Sequence, residues 1–290
     1  MALGRDDLVL GYMTMTRTET LADGSWRFTN ASFEARCAAA VAGGFAALGI
    51  VPSVYEDARA AGLSDDDLRT MLRDAGLVVS EVEMQHQVPG PSRHDELAAE
   101  VEYTLGVAAV FGAPRIFVVG GADVPPDELV GPFRWICDRC ARDGRVVALE
   151  FMQIPELSQI PDARTALHVV ESAGRDNGGL KVDIYHQING SNDWGQLEAL
   201  PGDRVVCIEL NDFSIPRVGA DYLDDTMHHR LAPGEGDADV VRFVQTMDAI
   251  GATCPYTLEV ISDELVVLPP AELGERLGTA TRRVFAAARA

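Results

Sequence analysis

Short apolar runs rich in β-forming residues alternate with helix-length segments from one end of this chain to the other, and that alternation leaves few folds open. The runs stand at Leu8–Met15, Phe45–Val51, Leu77–Met84, Arg115–Gly120, Val146–Phe151, Leu180–His186, Arg204–Leu210 and Tyr256–Ile261. The segments between them carry helix punctuation. Ser32 is an expected N-cap with Glu34 in the first turn, and Gly43-Gly44 closes that helix. Ser64 followed by three aspartates opens another, ending at Gly76. Further helical segments run over Asp95–Phe111, Pro125–Ala141, Ile160–Ala173, Trp194–Leu200, Ala238–Ile250 and Pro270–Ala288. Strand then helix, eight times over, predicts an α/β fold of the single (β/α)8 TIM barrel kind. A doubly wound open sheet is the alternative, but no glycine-rich dinucleotide fingerprint follows the first run. With no linker or low-complexity stretch, residues 1–290 are expected to form a single domain.

Charge narrows the partners. The chain has 45 acidic against 24 basic residues, a formal net charge of -21. Such a field repels nucleic-acid phosphates and anionic membranes, so neither is an expected partner. A small-molecule substrate is. No apolar run approaches the length of a membrane span, and the start Met-Ala-Leu-Gly-Arg-Asp-Asp lacks the apolar core of a signal peptide. The five cysteines are scattered. Cys137 and Cys140 have the spacing of a redox or zinc pair, but they fall in a helical stretch with no second pair at ligand spacing, so structural thiols are expected. A reduced cytoplasmic protein follows, with homo-oligomerisation possible because outer helix faces and dimer faces read alike.

Ligands of α/β barrels bind at the C-terminal ends of the strands. There the fifth to eighth runs each bring an acid: Glu150, Asp183, Glu209 and Glu259. Four carboxylates on one rim cannot all ionise without a counter-charge, and a divalent cation would supply it. All-oxygen ligation favours Mn²⁺, with Mg²⁺ or Co²⁺ as alternatives. Asn211 and Asp212 follow Glu209 closely, so strand register decides which points inward. His186 lies one turn beyond Asp183, and His86 follows the third run on the same rim. Both are candidate substrate contacts. Tyr12 and Trp194 are candidate aromatic walls, while His228 and His229 stand in a loop.

As a set, these motifs resemble the sugar phosphate isomerase/epimerase superfamily, the xylose isomerase-like barrels. The likeness rests on Glu150 in Leu-Glu-Phe, on Asp183-Ile-Tyr-His186 as the D-x-x-H motif, and on Arg230-Leu-Ala-Pro-Gly-Glu-Gly236 as the R-x-x-P-G-x-G loop. Glu259 in Leu-Glu-Val-Ile-Ser262, the opening Ser32-Phe-Glu-Ala-Arg and Gly43-Gly44-Phe also fit, so the resemblance covers essentially the whole chain. It implies metal ligands at Glu150, Asp183 and Glu259, with His186 and Arg230 facing substrate. Where the family usually places His or Gln, this chain has Glu209, which adds negative charge.

The resemblance further implies a metal-dependent isomerase or epimerase of a sugar, keto-sugar or related polyol ketone. Its metal-stabilised enediolate would exchange protons with Glu150 and Glu259 as the acid/base pair. The same groups would support a lyase, a dehydratase of the inosose or 3-dehydroshikimate type, if a β-hydroxyl were expelled. A phosphodiesterase of the endonuclease IV kind would need more rim histidines and a basic face, against six histidines and a charge of -21. A non-catalytic barrel serving as a binding subunit is the remaining alternative, although such a protein would be expected to have lost rim acids.

Overall fold

The computed structural model describes residues 3–21 and 25–290. Its strands are β1 (Leu8–Leu10), β2 (Thr16–Thr20), β3 (Trp26–Asn30), β4 (Ala47–Ile50), β5 (Val78–Glu83), β6 (Arg115–Val119), β7 (Val146–Glu150), β8 (Gly178–Asp183), β9 (Val205–Leu210) and β10 (Tyr256–Leu258). All except β2 and β3 form one closed barrel of parallel strands in chain order, with β1 pairing both β4 and β10. Helices return the chain between strands. The alternation read from the sequence is therefore a (β/α)8 barrel.

Local signals explain the helix ends. Ser32 caps the helix Phe33–Gly43 by accepting from the Ala35 amide at 3.2 Å, and Gly44 stops it at φ 65°. Ser64 and Asp67 form a reciprocal capping box on Asp65–Ala75. The final helix, Pro270–Ala288, packs closely along Phe33–Gly43. Its Gly274 and Gly278 lie so near the first helix that an added Cβ would run into the carbonyl oxygens of Ala39 and Gly43.

The expected strand Leu8–Met15 is wrong in its second half. The chain leaves the barrel at Gly11, whose amide donates to Leu258 O at 3.0 Å, and Tyr12–Met15 form a 3-10 turn. An antiparallel hairpin of β2 and β3 follows, and the sequence reading missed it. The buried positions on β2 are Thr16 and Thr18, and on β3 only Trp26 and Phe28 alternate with polar residues, too short a pattern to detect. Arg36 fastens its base, donating to the carbonyl oxygens of Tyr12 (2.8 Å), Met15 (3.1 Å) and Ala31 (3.2 Å). Helices Pro52–Ala60 and Tyr222–His228 also stand where no element was expected. Each buries only three residues, too few for a readable stripe.

Inside the barrel, Phe117, Ala148 and Cys207 form a small apolar layer. The charged groups converge above it. Among the described residues no helix is long and apolar enough to cross a membrane.

Candidate active site

Alternate residues of a strand face the same side. On β8 this puts Lys181 and Asp183 inside the barrel; on β7 it puts Glu150 above Ala148, and on β9 Glu209 above Cys207. Register then brings Glu150 beside Lys181 and Asp183 beside Glu209. Glu259 arrives just past the end of β10. Glu150, Asp183, Glu209 and Glu259 each present an oxygen within 4.8 Å of the others, all buried. The four acids expected on the rim are brought together.

They do not lack counter-charges, and here the sequence argument needs correction. Lys181, 1% exposed, places Nζ 2.9 Å from each of Glu83 Oε2, Glu150 Oε2 and Glu209 Oε1. Arg230 Nη1 lies 2.7 Å from Asp183 Oδ2 and 3.0 Å from Glu259 Oε2, and Nη2 donates to Thr226 Oγ1 at 2.7 Å. The chain thus supplies two of its own cations. Glu83 adds a fifth acid, however, and five carboxylates against two cations leave three negative charges when all are ionised.

The titration behaviour reflects burial first and neighbouring charge second. Burial pushes Glu150 up to about 8, with Glu259 and Glu83 adding to the rise and Lys181 opposing it. Glu209 is raised by burial and then by Glu259. For Lys181, burial disfavours the charge, but Glu150, Glu209 and Glu83 outweigh it and hold the ammonium on. His186 is kept neutral by burial and by the positive charges of Arg230 and Lys181. Its Nδ1 lies 2.8 Å from the Tyr222 hydroxyl, and its Nε2 is 3.7 Å from Glu150 and 3.6 Å from Asp183.

One oxygen of the cluster is orphaned. Glu209 Oε2 is buried without a hydrogen-bond partner, a costly arrangement for a carboxylate unless something positive meets it. An all-oxygen donor set, a residual negative charge and an unpartnered carboxylate oxygen together fit a divalent cation.

Register also settles the trio at the end of β9. Glu209 meets Lys181, and Asn211 Nδ2 donates to Asp183 Oδ1 at 2.8 Å. Asp212 turns away to accept from the amides of Phe213 (2.8 Å), Gly234 (2.9 Å) and Ala238 (3.0 Å), which holds the loop carrying Arg230. Asp183 caps its own helix, Ile184–Asn189, by accepting from the Tyr185 amide at 2.8 Å, and so aims His186 inward.

Above this floor opens a cavity of about 210 Å³. Tyr12, Glu83, Glu150, His186, Arg230 and Glu259 line its lower part. His86 stands at the mouth with a 74% exposed side chain, its Nδ1 3.0 Å from Glu100. Trp194 is outside the cavity, stacked under the Arg242 guanidinium at 4.2 Å. His228 contacts Thr20 and Asp263, both at 3.2 Å, and His229 is 3.5 Å from Asp224. Cys137 and Cys140 are buried free thiols.

Lys181, Glu83 and Tyr222 escaped the sequence reading. The first two had a signal: each shares the inward period-2 face with another charged residue of its strand, Asp183 and Glu81 respectively. Tyr222 had none, because only folding brings the start of its helix over His186.

A model of the xylose isomerase-like TIM barrel family matches residues 37–282. A curated relative, the 3-dehydroshikimate dehydratase of Pseudomonas aeruginosa, is 27% identical over 144 residues, covering 50% of this chain and 22% of that protein. The chain thus matches only about a fifth of that relative's length. Among solved structures, IOLI protein with a bound zinc atom superposes with TM-score 0.80 at 17% identity, covering 96% of this chain and 97% of the other. The D-allulose 3-epimerase of Methylomonas sp. in complex with D-allulose gives 0.69 at 16% identity, covering 99% and 98%. At these identities the structural likeness concerns the fold.

Proposed function

We propose, because this chain belongs to the xylose isomerase-like TIM barrel family, that it is a divalent-metal-dependent isomerase or epimerase acting on a sugar or related polyol ketone. The observation that carries the reading is the convergence of Glu150, Asp183, Glu209 and Glu259 beneath the cavity, with Glu209 Oε2 left unpartnered. These four would hold the cation. Mn²⁺ suits an all-oxygen set, and Mg²⁺ or Co²⁺ are alternatives. A zinc-bearing neighbour and a neighbour in complex with D-allulose support a divalent metal and a sugar in general terms. When bound, the cation would polarise the oxygens of a hydroxy-ketone and acidify the C–H between them.

The chain's own residues do the rest. Glu150 and Glu259 stand at the cavity floor as the acid/base pair, one removing the proton and the other returning it. Burial raises the proton affinity of Glu150 in the metal-free site, and beside a bound cation it would fall again, toward a carboxylate ready to take a proton. Lys181 and Arg230 hold these carboxylates in position through ion pairs they share with them. His186, neutral and oriented by Tyr222, turns Nε2 toward the reacting end of the ligand. Arg230 lines the cavity and contacts substrate through whatever donor its acids leave free, and His86 does so from the mouth. A dehydratase reading draws support from the curated relative's name; it needs the same acids and a β-hydroxyl to expel.

The test is elemental analysis of protein purified without chelator, melts in EDTA and after Mn²⁺ addition, and solvent-deuterium exchange into ketoses. Near-stoichiometric metal, a melt that falls in EDTA and recovers, and deuterium at the carbon beside the ketone are expected. An absorbing enone instead of exchange would move the reading to a lyase. No metal and an indifferent melt would sink both and favour a non-catalytic binding barrel.

A further inference from the structure

The walls of the cavity differ in character from its floor. Met13, Met84, Met152 and Met227 line it together with Trp26 and Phe28. The two aromatics stand on β3, in the hairpin that Arg36 fastens beside the mouth, with ring centroids 6.4 Å apart and tilted by 52°. Phe28 is 45% exposed although it lines the cavity. An apolar wall beside a reacting centre is surface prepared for an apolar group. Methionine side chains suit it to rings of varied shape.

Charge points the same way. Among the described residues lining the cavity, the guanidinium of Arg230 and the imidazole of His86 each already have an acidic partner. Arg230 is held by Asp183 and Glu259, His186 sits between the Tyr222 hydroxyl and the carboxylates of Glu150 and Asp183, and His86 faces Glu100. Lys181, beneath, is shared by three carboxylates. A phosphate or carboxylate on the ligand would meet a floor whose cations are already shared among carboxylates.

We infer that the ligand of this site is an uncharged polyhydroxy ketone carrying an aromatic-sized apolar substituent. The ketone meets the acidic floor, and the substituent lies against Trp26, Phe28 and the methionines. The inference rests on the isomerase reading and excludes sugar phosphates and carboxylate-bearing 3-dehydroshikimate as substrates.

Calorimetric titration of the Mn²⁺-loaded protein with D-allulose, 6-O-benzyl-D-allulose and 3-dehydroshikimate tests it. The benzyl ether should bind at least about tenfold more tightly than D-allulose, a modest return for burying one aromatic ring. That ratio should fall towards one in Trp26→Ala/Phe28→Ala, whose metal content and melt report its folding. Phe28→Ala alone, at an exposed ring, should lower the ratio by a smaller factor and serves if the double variant does not fold. Equal affinities, no binding of the benzyl ether, an unchanged ratio in the variants, or tightest binding of 3-dehydroshikimate would each overturn the inference. Deuterium exchange separates the two ideas. Exchange without a benzyl preference removes this inference alone; a benzyl preference without exchange removes the isomerase reading.

Discussion

Lys181 carries one charge and meets three carboxylates at 2.9 Å, so removing it strands several buried acids. Lys181→Met should destabilise metal-free protein by roughly 3–5 kcal/mol, the scale for deleting one partner of a buried ion pair. It should also enlarge the rise in melting temperature on adding Mn²⁺, because a competing positive charge has left the floor. Calorimetric melts of both proteins with and without Mn²⁺ measure both effects, and an unchanged metal-induced rise would show that Lys181 does not oppose metal. Glu150 gives a pH dependence. Its folded-state pKa, near 8, lies above the ordinary 4.5, so folding favours the neutral acid. That contribution is fully present below the ordinary value and is lost as pH climbs toward 8. Metal-free protein should therefore melt lower at pH ~8 than at pH ~5.5, and Glu150→Gln, unable to ionise, should flatten part of that slope.

At the scale of elements, the contact between the first and last helices brings the barrel's two ends together. Gly274 and Gly278 lie against the carbonyl oxygens of Ala39 and Gly43 with no room for a methyl group. Gly274→Ala should cost about 1–3 kcal/mol, since neither backbone can move without separating the helices. Gly106, inside the helix His94–Phe111 with open space around it, is the contrast: Gly106→Ala should stabilise by about 0.5–1 kcal/mol through helix propensity. Denaturant melts of the pair distinguish packing from propensity. The hairpin β2–β3 belongs to this scale too. It lies outside the barrel sheet, is tied down through Arg36, and contributes the aromatic part of the cavity wall.

Across the whole molecule, all five cysteines are free and buried. Burial raises the thiol of Cys37 to about 11 and those of Cys137, Cys140 and Cys254 to about 12. Cys207 is pushed well above its ordinary value by burial and then by Glu81 and Glu209. At pH ~8 the thiolate fraction is thus very small. A thiol reagent should label the native protein only as fast as it unfolds and should count five thiols in denaturant. Rapid labelling of Cys137 and Cys140 would revive the redox reading of their spacing.

The barrel and its four rim acids were legible in the sequence because both rest on local regularities. Apolar runs of strand length alternate with capped helices, and each of the last four strands carries an acid at or just past its C-terminal end. Periodicity placed Glu150, Asp183, Glu209 and Glu259 on one rim without knowledge of a single contact. Tertiary structure decided what that rim is made of. Lys181 and Glu83 come from strands three apart in the barrel and meet only because closure folds their inward faces together. Arg230 reaches Asp183 and Glu259 across a loop shaped by Asp212, and Tyr222 reaches His186 from a helix that has no readable stripe. The hairpin that gives the cavity its apolar wall shows apolar alternation only at Trp26 and Phe28, too little to read as a strand. Its position depends on one buried arginine joining three distant carbonyl groups, and no linear pattern encodes such a contact.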